Sequence, residues 1–155
     1  MLACDCPIFA QCKYIQWKWP EEYGEVKLLI MFGGLHIEKA LSKTLGDMLE
    51  LFGWMVAQTE AAVTTSGTAH LYLCAPHITC TRHTHQVTVL AVSYLQRKAY
   101  NKAFADSHAK PFEIWHQKMT KKCPTYQFLD LVLRVEILVL TLIRAQRESN
   151  FGLYV

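Results

Sequence analysis

Glu136 stands where a carboxylate is hardest to keep. On a helical wheel through the C-terminal segment, Asp130, Arg134, Thr141, Arg144 and Glu148 fall within one wedge. Asp130 and Arg134 have the i,i+4 spacing of an ion pair. Glu136 falls on the far side, among Leu129, Leu133, Leu140 and Ile143. A carboxylate on an apolar face is costly unless it is paired or hydrogen-bonded. The ordinary explanation is a structural partner for a buried Arg or His. The functional explanation is a carboxylate that holds a metal ion or takes up a proton.

Three other constellations carry chemistry-bearing residues. Cys74-x-x-His77-x-x-Cys80-x-x-His83-x-His85 contains zinc-ligand types, so a small zinc-binding protein is one alternative. The spacing opposes it: Pro76 interrupts the first pair, and on a helix His83 and His85 project about 200° apart. His36 and Glu38 follow the apolar run Val26–Phe32 and Gly33-Gly34, at a helix start beyond a strand end. The glycine spacing there matches neither a phosphate loop nor a dinucleotide fingerprint. Finally, residues 97–122 hold Arg97, Lys98, Lys102, Lys110, Lys118, Lys121 and Lys122 against only Asp106 and Glu113. That local excess is larger than the +3 of the whole chain. Tyr100, Phe104, Phe112 and Trp115 are interleaved, a pattern suited to phosphate contact with aromatic stacking, or else to an ordinary solvated face. No Ser-His-Asp or Cys-His set stands out.

The elements that must position these residues are mainly helical. The patterning predicts helices over Pro7–Trp19, His36 to about Leu51, Trp54–Val63, about Thr81–Phe104, Pro111–Met119 and about Tyr126–Glu148. Pro20 and Glu21-Glu22-Tyr23-Gly24 read as a loop, Gly53 as a helix terminator, and Ser66 or Thr68 as a cap. Val26–Phe32, bounded by glycines, is the one strand predicted. The fold class expected is therefore mainly α: a helical domain with one short buried β-strand near the N-terminus.

The chain has 155 residues, enough for one domain. Hydrophobic residues make up 52% and charged residues 19%, which excludes a disordered chain. The net charge alone is too small to declare a nucleic-acid binder. Phe128–Ile143 is the most apolar run, but Asp130, Arg134 and Glu136 interrupt it, so a buried helix is expected and no membrane partner. The start has no basic n-region and no long apolar stretch, which implies a protein that is not secreted, intracellular in nucleus or cytoplasm, with its six cysteines mostly reduced.

Several segments, in order, resemble a large transposon-derived family repeated in the genomes of aquatic animals. They are Ile15–Pro20, Met31–Glu38, Leu45-Gly46-Asp47, Gly53-Trp54, Ser66–Ala69, Thr81–Thr88, which includes Arg82 and His85, and Arg147–Phe151. Members begin this region with Asp-Gln-Pro where this chain has Asp5-Cys6-Pro7. They are longer on both sides, so the chain reads as a piece of a longer protein. The resemblance implies an RNase H-like core similar in order to hAT-type transposases: an Asp, a His near a helix start, a helical insertion and a final Glu. Asp5 and Glu136 would then be the catalytic carboxylates and ligands of a Mg²⁺ pair in phosphoryl transfer, with His36, Glu38, Arg82 and His85 in supporting positions. The first Asp of such a set is missing from this chain. The expectation is thus a catalytically inactive, transposase-like fragment that contacts DNA through Arg97, Lys98, Lys102, Lys118, Lys121 and Lys122. The alternative is a helical interaction module serving a protein partner or a homo-oligomer.

Overall fold

Asp5 and Pro7 fix where the first helix begins. In a computed structural model of the chain, which describes residues 2–50, 52–74, 78–105 and 111–154, Asp5 Oδ1 accepts the Ile8 N–H at 3.2 Å. Pro7 sits in the first turn, where its missing donor costs nothing. The fold is mainly helical with a short two-stranded parallel sheet near the N-terminus. Its internal contacts divide it into two compact units, Met1–Leu41 and Ser42–Val155.

The first unit holds β1 (Leu2–Cys4), α1 (Cys6–Lys18), α2 (Pro20–Tyr23), β2 (Ile30–Phe32) and the beginning of α3 (Gly34–Glu50). β1 and β2 pair in parallel, Leu2 opposite Ile30, Ala3 opposite Met31 and Cys4 opposite Phe32. A parallel pair needs a crossover, and α1 with α2 supplies it. The ladder is extended by Leu2 N–H to the Leu29 carbonyl at 2.9 Å and by Gly33 N–H to the Cys4 carbonyl at 2.8 Å. The Phe9 ring meets Phe32 edge-on with centroids 5.5 Å apart, which seats α1 on the sheet.

Three local expectations change here. β1 is an additional strand. The strand predicted from Val26 is paired only at Ile30–Phe32, because the Lys27 and Leu28 N–H groups turn back onto the Gly24 carbonyl. The segment after Pro20 is a helical turn, started by the proline and helped by Glu21 and Glu22 at its positive end. A side chain at Gly24 would stand 2.3 Å from the Pro20 carbonyl oxygen, so only glycine fits this turn.

The second unit contains the rest of α3, then α4 (Trp54–Glu60), α5 (Ser66–Cys74), α6 (Ile78–Ala103), α7 (Phe112–Lys122), α8 (Pro124–Arg147) and α9 (Phe151–Tyr154). Gly53, in the left-handed region at φ 73°, turns the chain from α3 into α4. Leu49, Trp54, Ala69 and Val132 form a core with Met48, Met55, Tyr72 and Phe128 packed against it. α8 packs on α6, α7 and α9. It buries Val132, Leu133, Val139, Leu142, Ile143 and Ala145 along with Glu136. The cap of α5 is Thr65, whose hydroxyl accepts the Thr68 N–H at 3.4 Å, rather than Ser66 or Thr68. Pro76, His77 and Asp106–Lys110 lie outside the described residues. Among the described residues, no helix is long and apolar enough to cross a membrane.

Candidate functional site

α6 turns a polar face inward. Thr81, Thr84, His85 and Thr88 are its buried residues, spaced at helical intervals. Two of the threonines are satisfied locally: Thr84 donates to the Cys80 carbonyl and Thr88 to the Thr84 carbonyl. The Thr88 hydroxyl also accepts the Trp54 indole N–H at 3.0 Å, tying α4 to α6. One turn before Thr88, His85 meets Glu136. Its Nδ1 lies 3.0 Å from Oε1 and 2.8 Å from Oε2 of a carboxylate with no solvent exposure. His85 Nε2 has no hydrogen-bond partner. Glu136 is therefore held on its apolar helix face by a buried histidine, the structural explanation that its position called for. An enclosed pair of this kind can fix two helices against each other; it presents no face to a substrate.

Each of the other sequence candidates has its own local setting. Asp5 is exposed, in the first unit, with its carboxylate on the α1 N-terminus. His36 stands over Phe32 with ring centroids 5.7 Å apart. Glu38 is completely buried and Arg82 half-buried. Gly33 lets the chain pass close: a Cβ there would meet the Cys4 carbonyl oxygen at 3.0 Å and the His36 ring at 3.4 Å. Of the zinc pattern, Cys80 and His83 are exposed and His85 is buried, on different sides of α6. His77 and the Cys74 side chain lie outside the described residues. Among the described residues, no three His, Cys, Asp or Glu side chains are grouped to hold a metal. Asp5 Oδ1 is used at the α1 N-terminus, and Glu136 is paired with His85.

A second polar assembly lies where the end of α6, α7 and the start of α8 meet. Gln96 Nε2 donates to the Tyr126 hydroxyl at 3.0 Å and more weakly to Asp130 Oδ1 at 3.4 Å. The Tyr126 hydroxyl lies 2.8 Å from His116 Nδ1. The other ring nitrogen, Nε2, lies 3.7 Å from Asp130 Oδ1. Asp130 is nearly buried and ion-paired with Arg134 at 2.7 Å, so the polar wedge of α8 is only partly solvated. Burial raises the Tyr126 phenol pKa above its ordinary value; the Asp130 charge adds to this and the Gln96 hydrogen bond opposes it. Gln96, His116 and Tyr126 have no periodic signature in the sequence, since each comes from a different helix.

The aromatic residues interleaved with the basic stretch pack on one another, with Trp115 buried and Tyr100, Phe104 and Phe112 half-buried. Tyr100 contacts Phe104, Phe112 and Trp115 with centroids 5.2–5.5 Å apart, and Trp115 meets Tyr126 edge-on at 5.4 Å. Trp115 retains only 6% exposure, so it offers no free ring for stacking a base. The basic residues remain outside. Arg97, Lys98, Lys102, Lys118, Lys121 and Lys122 are all exposed, and none forms an ion pair among the described residues. Lys110 lies outside the described residues. A polar cleft of about 330 Å³, lined by Ser93, Gln96, Arg97, Tyr100, Asn101 and Phe112, opens beside them. No family model, curated protein or solved structure matches this chain.

Proposed function

We propose that this chain is a non-catalytic helical module that contacts nucleic acid through the outer surface of α6 and α7. The observation carrying this reading is the set of six exposed, unpaired basic side chains on two adjacent helices. Three exposed acidic residues elsewhere are matched to cations, in Lys13–Glu25, Lys43–Asp47 and Arg144–Glu148. The six are left to exterior anions. With Trp115 buried and the neighbouring rings packed on one another, the contact is to phosphate rather than to stacked bases, and duplex DNA is the natural ligand. The transposon-derived resemblance fits this reading, with the carboxylates of the lineage turned to structural use.

Affinity for duplex DNA should then fall linearly in log–log form with salt. Replacing Lys121 and Lys122 by alanine should weaken binding on all sequences and flatten the slope by roughly 0.9 for each phosphate no longer neutralised. Binding that ignores salt would remove the basis of the proposal. A second reading has its own observation: Leu90 and Tyr94 on α6, and Leu131 and Leu138 on α8, are apolar and exposed at helical spacing. That pattern favours a protein partner or a second copy, and light scattering on the purified chain distinguishes it from a monomer.

A further inference from the structure

Two cysteines of the first unit meet where α1 lies on the sheet. Cys4 ends β1, opposite Phe32 of β2, and is buried. Phe9, Cys12, Lys13 and Gln16 are the residues of α1 that are not fully exposed, and their spacing marks the helix face turned inward. On that face Phe9 meets the Phe32 ring, and Gln16 Nε2 donates to the Leu28 carbonyl just before β2. Cys12 stands between these two anchors, and its thiol is in hydrogen-bonding contact with that of Cys4. Both are free thiols.

The two sulfurs are unequally placed. Cys12 is partly open to solvent, whereas Cys4 is enclosed, so a dissolved reagent meets Cys12 first. Burial raises the Cys4 thiol pKa above its ordinary value, and the neighbouring Cys12 and the Asp5 charge raise it further. Cys4 therefore holds its proton while Cys12 is reduced.

We propose that Cys4 and Cys12 are a redox-active pair that a small-molecule disulfide converts reversibly into an intrachain disulfide. Cys12 loses its proton to solvent, and its sulfur attacks one sulfur of the reagent. The reagent's S–S bond breaks and one thiolate leaves. The mixed disulfide on Cys12 then stands beside Cys4. Cys4 loses its proton, its sulfur bonds to that of Cys12, and the second thiolate leaves. The two thiolates take up the two protons released, so the protein dithiol is oxidised by two electrons and the reagent is reduced by two. Cys12 carries no charge in the mixed disulfide, which removes one of the influences that kept Cys4 protonated and favours the second step. The product ties β1 to α1.

Oxidised glutathione is the probe. Lys13 is the first site for trypsin, so one peptide, residues 1–13, carries Cys4, Cys6 and Cys12. The full folded chain is treated with oxidised glutathione, alkylated with iodoacetamide, digested and mapped by mass spectrometry. Cys4 should be joined to Cys12, leaving only Cys6 to carry an alkyl group or glutathione. Dithiothreitol should make all three alkylatable again. In guanidinium the same treatment should scatter the pairing among the three cysteines, since nothing then selects two of them. Cys6→Ser should close the same pair, and Cys4→Ser combined with Cys6→Ser should halt with glutathione on Cys12. An alkyl group or glutathione on Cys4 or Cys12 of the unaltered folded chain overturns the proposal.

Discussion

Removing either member of the His85–Glu136 pair strands the other in the interior of the second unit. Glu136 has no solvent exposure and hydrogen-bonds His85, and His85 already has one ring nitrogen without a partner. Breaking a buried pair from one side costs far more than the pair contributes when intact, because both groups are already desolvated. We therefore expect Glu136→Ala and His85→Ala each to lose about 3–5 kcal/mol of stability. Glu136→Leu combined with His85→Leu should recover most of that loss, since two apolar groups leave no unmatched charge. Urea denaturation of the three variants measures this directly. Losses that simply add would mean that the two side chains do not depend on each other, and the structural role given to Glu136 would fall.

Helix ends show at the scale of elements how much of this fold can be read in advance. α4 and α8 both finish in six-to-one and five-to-two hydrogen bonds: Val63 N–H to the Gln58 carbonyl with Ala62 N–H to Thr59, and Asn150 N–H to the Ala145 carbonyl with Ser149 N–H to Gln146. The residues forced into the left-handed region are Ala62 at φ 54° and Ser149 at φ 50°, where glycine is the usual choice. Ala62→Gly should therefore stabilise the chain by about 1 kcal/mol, visible as a rise in the thermal midpoint. Glycine announces the end of α3 at Gly53, but nothing in the residue types announces these two ends, so the patterning carries α4 on to Val63, past its end at Glu60. The same division runs through the rest. α8 is a regular amphipathic helix, so its phase exposes Glu136 as misplaced from composition alone. Its partner His85 sits on another helix, and only packing reveals that pairing. β1 is three residues long, too short for any alternation, and is a strand only because β2 lies beside it. Tyr100, Phe112 and Trp115 are of the right types for stacking bases. Which way they face depends on how α6, α7 and α8 come together, and they come together on those rings.

Charge in the whole molecule is modest in total and uneven in place. A net +3 gives almost no long-range field, yet two successive helices of the second unit, α6 and α7, carry six exposed basic side chains. Exposed charges farther apart than a Debye length, about 10 Å at 0.1 M salt, act independently. Local density, not the sum, then governs association with a polyanion. Two double variants put the point to a test. Lys121→Ala with Lys122→Ala removes two charges from the basic surface, and Lys27→Ala with Lys39→Ala removes two exposed charges from the first unit. Each takes the chain from +3 to +1, since each removes two lysines. The first pair should reduce affinity for duplex DNA several-fold at 0.1 M salt and lower the salt slope. The second should leave both unchanged within error. If the two pairs act equally, the chain responds to its total charge, and the surface of α6 and α7 has no special place in binding.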